Sequence, residues 1–190
     1  MNNNNNQPNY VLKTVENIRV PKSEKNNSIK GVIIGILVIL ILGSFIFRDN
    51  LFGELSWTTK IILISLVFGT LFLNNYIFKP FPIEIHFYND HLEIHRQEVY
   101  YNKNLRRKEI YSFKYEDIKS CTYIDNYKRM EIRGNVHVDL YNYSKDKSVS
   151  NNPTISKTDM GICYFYTSAA PNVDFVKEIE EHSPVKVARI

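Results

Sequence analysis

Two long apolar runs lying close together constrain this chain more than any other feature. Ile29 to Phe47 reads IKGVIIGILVILILGSFIF, with Lys30 its only charge. Trp57 to Phe78 reads WTTKIILISLVFGTLFLNNYIF, with Lys60 within one turn of its start. About 19 helical residues at a rise of about 1.5 Å cover roughly 28 Å, the thickness of a bilayer's hydrocarbon core. Trp57 and Tyr76 bracket the second run as interfacial aromatics. The expectation is a transmembrane helical hairpin over 29–78, with spans 29–47 and 57–78 joined by an external loop, 48–56. A cleaved signal peptide fits poorly, because a long polar stretch precedes the first run and a second run follows at once.

Orientation follows from the flanking charges. Lys13, Arg19, Lys22, Lys25 and Lys30 precede the first run, whereas the connecting loop carries Arg48 against Asp49 and Glu54. The positive-inside rule then puts both termini in the cytosol of a multi-pass plasma-membrane protein. Gly31 and Gly35 form a GxxxG pair, the spacing that lets transmembrane helices pack closely. Neither run holds an intramembrane carboxylate, histidine or arginine, so anchoring is expected rather than transport.

Residues 1–28 begin MNNNNNQPNY and continue polar, with VLKTVENIRV as their main apolar content. A composition this poor in apolar residues predicts a disordered cytosolic tail. Cys121 and Cys163 stand far apart with no CxxC or Cys/His cluster, which predicts reduced thiols packed in strands.

From residue 79 onward the pattern changes to alternation. In IEIHFY, Ile83, Ile85 and Phe87 face one way while Glu84, His86 and Tyr88 face the other. HLEIHR repeats the pattern, and Asn89-Asp90 between them tolerate positive φ, so the segment predicts a hairpin with a two-residue turn. That register opposes Phe87 to Leu92 and Ile85 to Ile94 on the buried face. On the other face it opposes Glu84 to His95 and His86 to Glu93. These Glu–His pairs predict a cross-strand charge ladder, with no third strong ligand at fixed spacing and so no metal site.

Further strands are expected at 107–113, 116–124, 129–134, 136–143 and 161–167, rich in Ile, Val, Tyr and Phe. Arg133, Gly134 and Asn135 read as a hairpin turn, and 144–159 as a polar loop. PNVDFVKEIEEHS then switches to helical spacing, with Val173, Val176 and Ile179 on one stripe and Pro184 as the stop. The fold class expected is a membrane α-helical hairpin plus a cytosolic β-rich domain over 79–190, with about seven antiparallel strands and one C-terminal helix.

That layout resembles the pleckstrin-homology (PH) architecture. The run Tyr111-Ser-Phe-Lys-Tyr-Glu-Asp-Ile118 is similar to the aromatic, then acidic-Asp-Ile step of bacterial PH-like domains. With two apolar spans directly upstream, the chain resembles the YcxB-like family of bacterial membrane proteins. The resemblance covers roughly 29–182 and implies a PH-like fold without catalytic residues.

Reactive motifs are missing from the sequence: no GxGxxG, Walker A, HExxH, GxSxG or kinase signature occurs. Residues 79–190 carry 17 Lys and Arg against 16 Asp and Glu, a balance that speaks against nucleic acid as a partner. Lys103, Arg106, Arg107 and Lys108 form one basic cluster, the candidate contact for lipid phosphate, because Arg forks match phosphate oxygens. The functional expectation is a non-catalytic, membrane-anchored interaction module that displays its domain at the inner leaflet to a protein partner or to itself. A lipid-headgroup-responsive or envelope-stress and immunity protein is the alternative. No catalytic residue, cofactor or metal is expected; the partners are the bilayer and a protein.

Overall fold

The computed structural model describes residues 7–21, 76–102, 105–144 and 148–190, with 31–32, 34–35, 38, 56–59, 61–62 and 65. The chain divides into two compact units, Met1–Val20 with Phe78–Ile190, and Pro21–Ile77. In the second unit the described residues include the start of a helix at Trp57, where Ser56 Oγ accepts the amide of Thr59 at 3.2 Å. That is ordinary N-cap chemistry.

The first unit is built from strands β1 (Tyr10–Pro21), β2 (Tyr76–Phe87), β3 (His91–Asn102), β4 (Leu105–Lys114), β5 (Ile118–Ile124), β6 (Arg129–Asn142) and β7 (Ile155–Tyr166). Helix α1 (Phe175–His182) and a short strand β8 (Ala188–Arg189) follow. The strand order is β4-β3-β2-β1-β7-β6-β5-β8, and β4 also pairs with β6. The pairings β1-β2-β3-β4-β6-β7 therefore form a closed ring. Closure is made by β6, whose first half pairs with β5 (Cys121↔Ile132) and whose second half pairs with β4 (Tyr111↔Val138).

This architecture corrects the expected membrane hairpin. Among the described residues no helix is long and apolar enough to cross a membrane. Tyr76, Ile77 and Phe78, expected to end the second span, are the first residues of β2. Pro80 and Pro82 lie inside the same strand. Alternation of apolar and polar residues toward Phe87 lets the segment pair with β3, which a helical continuation would forgo. Most of both apolar runs and the expected loop 48–56 lie outside the described residues. The membrane assignment, the multi-pass plasma-membrane location and the cytosolic orientation built on it are given up with the hairpin.

The expected disordered tail is corrected as well. Residues 10–21 form β1, between β2 and β7, and bury Leu12, Glu16, Ile18 and Val20. Tyr10 anchors the strand to α1: its hydroxyl donates to Glu178 at 2.8 Å and its ring stacks on His182 at 3.6 Å.

Among the described residues eight strands stand where about seven were expected. β1 and β8 are additional, and the expected strands 129–134 and 136–143 merge into β6. Gly134 is no turn residue: it sits in β6 opposite Ile118, where a Cβ would collide with the carbonyl oxygen of Asp117. Glycine there marks close backbone approach beside a register shift. β7 starts at Ile155, within the segment expected to be a loop.

The core lies inside the ring. Ile83, Ile85, Phe87, Leu92, Ile94, Phe113, Met130, Ile132 and Phe165 are fully buried, and α1 closes over them with Phe175 and Ile179. Asp174 caps α1 by accepting the Lys177 amide at 3.2 Å. Both cysteines are free and buried, each opposite Ile132 from its own side.

Candidate functional site

The β2–β3 hairpin has the register expected from its sequence: Glu84↔His95, Ile85↔Ile94, His86↔Glu93 and Phe87↔Leu92. Its turn closes through the Tyr88 amide, which donates to the His91 carbonyl at 2.9 Å. Neither Asn89 nor Asp90 takes positive φ. The Asn89 side-chain oxygen instead accepts from Asn9 at 2.7 Å, and Asp90 lies 2.6 Å from His91 Nδ1.

On the outward face the polar contacts differ from a simple cross-strand ladder. The imidazoles of His86 and His95, diagonal across the strand pair, stack with centroids 4.2 Å apart and planes 6° from parallel. Stacking turns each Nε2 toward the carboxylate two residues earlier on its own strand. His86 Nε2 is 2.9 Å from Glu84, and His95 Nε2 is 2.8 Å from Glu93. The hydrogen bond from His95 holds the Glu93 carboxyl below its ordinary range, and that from His86 does the same for Glu84. Glu93 also accepts from the hydroxyls of Ser112 at 3.1 Å and Tyr88 at 3.4 Å, while Lys13 of β1 pairs with Glu84 at 3.3 Å. His86, Glu93 and His95 each offer a ligand atom within 4.8 Å of the other two. Spacing alone pointed to no third ligand, because it does not show the diagonal approach of the two rings.

The row continues over the sheet through Ser112 and His137 to Thr158. His137 belongs to a separate group, with Thr158 at 2.8 Å and Asp139 at 3.3 Å. Two strand spacings of about 4.8 Å separate it from Glu93, too far to share an ion.

Inside the ring lies a second cluster. Arg96 donates to the fully buried Glu16 through Nε at 2.6 Å and Nη2 at 2.8 Å, and approaches Glu109 at 3.4 Å. Glu109 also accepts from Arg107 and from the Tyr111 hydroxyl at 2.9 Å. Burial disfavours the charge on Arg96, but the Glu16 carboxylate outweighs it and raises the guanidinium's pKa. Burial raises that of Glu16, against the pull of Arg96. Next to this cluster, Arg107, Tyr111, Val138, Lys157, Asp159 and Ile162 line a cleft of about 350 Å³.

The expected basic cluster is dispersed. Lys103 lies outside the described residues. Arg106, Arg107 and Lys108 are residues of β4, so alternation sends Arg107 to the opposite face from its neighbours. Arg106 binds Glu98 at 2.7 Å, Arg107 binds Glu109, and Lys108 sits 5.7 Å from the Tyr141 ring centroid. Gly31 and Gly35 are helical, and a Cβ on either would meet nothing within 4 Å among the described residues.

Sequence reasoning missed the outward face of β7. Met160, Ile162 and Tyr164 follow one another there at 62%, 44% and 47% exposure. Opposite them on β6 stand Asn135, Arg133 and Glu131. Glu131 is clasped by Arg129 and, at 2.9 Å, by Arg133, and the Arg129 guanidinium lies 5.5 Å from the Tyr164 ring centroid. Ile162 and Tyr164 fell in the expected strand 161–167, and Met160 lay just before it. No family model, curated protein or solved structure matches the chain.

Proposed function

We propose that the chain is a non-catalytic interaction module that binds a protein partner through the outward face of β7. The observation that carries this reading is the unbroken strip Met160, Ile162 and Tyr164, exposed on three successive outward positions of one strand. Scattered apolar side chains are normal on a surface, but contiguous ones mark contact sites. Methionine, tyrosine and arginine are also the residue types enriched at the cores of protein interfaces. Along the strip, Arg129 and Arg133 share one carboxylate, Glu131, which leaves the border positive. The matching partner is a protein with an apolar patch and an acidic rim.

A photo-crosslinker placed at Ile162 tests this in extracts of the native cells, with the same probe at the exposed Ser120 of β5 as control. The expected result is an adduct specific to Ile162 that excess wild-type chain competes away and a Met160→Ser/Ile162→Thr/Tyr164→Ser variant does not. Identical adducts from both positions, or equal competition by both chains, would sink the proposal.

A further inference from the structure

We propose that the β2–β3 hairpin is a binding site for a divalent first-row transition-metal ion of the zinc class, held by His86, His95 and Glu93. Three potential ligands, two imidazoles and a carboxylate, already lie within 4.8 Å of one another. Imidazole nitrogens and carboxylate oxygens at about 2.0–2.2 Å suit zinc and its neighbours, and three protein ligands leave a coordination position open. The ligands sit on paired strands rather than on a loop, and all three are half-buried. Both imidazoles stand on one side of the sheet, and their parallel stack opens on binding so that one ion lies in the plane of each ring.

The surroundings resemble a supporting shell. Ser112 and Tyr88 donate to Glu93, the kind of outer hydrogen bonding that orients a ligating carboxylate. Glu84, bonded to His86 Nε2 at 2.9 Å, borders the cluster, and Lys13 offsets its charge. An arriving ion takes the place of the Nε2-bound proton on each ring, and that proton moves to Nδ1 or to solvent. The Nε2–H···carboxylate bonds of His86 and His95 are given up in exchange for the metal–nitrogen bonds.

Cobalt(II) titration of the full chain, followed by its visible d–d absorption and by zinc competition, tests the site. The expected result is one ion per chain, displaced by zinc, with no thiolate-to-cobalt charge-transfer band. His86→Ala and His95→Ala should each abolish the signal, Ser112→Ala should weaken binding about tenfold, and His137→Ala should leave it unchanged. If either His→Ala variant does not fold, carbethoxylation of the wild-type chain decides: zinc should protect His86 and His95 but not His137. No cobalt band, a band that survives in both His→Ala variants, equal loss in His137→Ala, or unprotected His86 and His95 would overturn the proposal.

Discussion

Replacing Arg96 by methionine removes the only described cation within bonding distance of Glu16, whose carboxylate is fully buried and held by two hydrogen bonds of 2.6 and 2.8 Å. Glu109 keeps Arg107 and Tyr111, so the damage concentrates on Glu16. Breaking a buried pair from one side costs about 3–5 kcal/mol, because the remaining charge is neither solvated nor paired. A domain of this size has a total stability of about 5–15 kcal/mol. Arg96→Met should therefore remove a large share of it. Adding Glu16→Leu removes the orphaned charge and should restore at least half of the loss, since an apolar pair of similar volume is often neutral or better. pH supplies an internal check. With Arg96 gone, the Glu16 carboxyl rises further above its ordinary value of about 4.3. A carboxyl raised in the folded state gives stability that is present below the unfolded value and lost as pH rises through the folded one. The Arg96→Met defect should thus be smallest in acid and grow toward neutrality. Urea unfolding of wild type, single and double variants between pH 4 and 8 measures all three quantities. A single variant within about 1 kcal/mol of wild type, or a double variant as damaged as the single, would refute the reasoning.

Two further predictions concern the core. Ile179→Asp puts an unpaired carboxylate at a fully buried position of α1 and should cost several kcal/mol, whereas Glu181→Ala loses only the exposed 3.6 Å pair with Lys177, about 0.3–0.5 kcal/mol; thermal unfolding of both separates the two. Burial pushes the Cys121 thiol up to about 12 and raises that of Cys163, so neither should react with iodoacetamide at pH 8 until denaturant unfolds the chain; mass spectrometry before and after urea reads this directly.

What could be read from the sequence was local. Strict alternation on both sides of Asn89-Asp90 sufficed for the β2–β3 register, and the 3.6-residue spacing around Ile179 for α1. β1 was hidden because its inward positions include Thr14 and Glu16, so the alternation reads as polar until Arg96, 80 residues away, supplies the partner. Gly134 looked like a turn because glycine serves turns and close backbone contacts equally, and only the position of Asp117 distinguishes the two. Apolar run length predicted membrane helices, but Tyr76–Phe78 are strand residues of β2, a preference that hydropathy does not report. Among the candidate site residues, the hairpin histidines were visible as pairs. Their convergence on Glu93 depends on a ring stack between diagonal positions, which spacing alone cannot show. The β7 strip escaped notice because Ile162 to Tyr166 is apolar or aromatic at every position, so the sequence does not show which face of the strand is buried.

The central structural claim is that residues 10–21 are a strand of the ring, placed between β2 and β7 and pinned by Glu16 inside it. Amide hydrogen exchange of the full chain, read residue by residue over Val11–Val20, tests it most directly. Strand amides bonded within the ring should exchange about 1000-fold or more slowly than an unfolded segment, close to those of Cys163 and Phe165 in β7. Exchange of Val11–Val20 at the rate of an unstructured tail, with β7 still protected, would contradict the account.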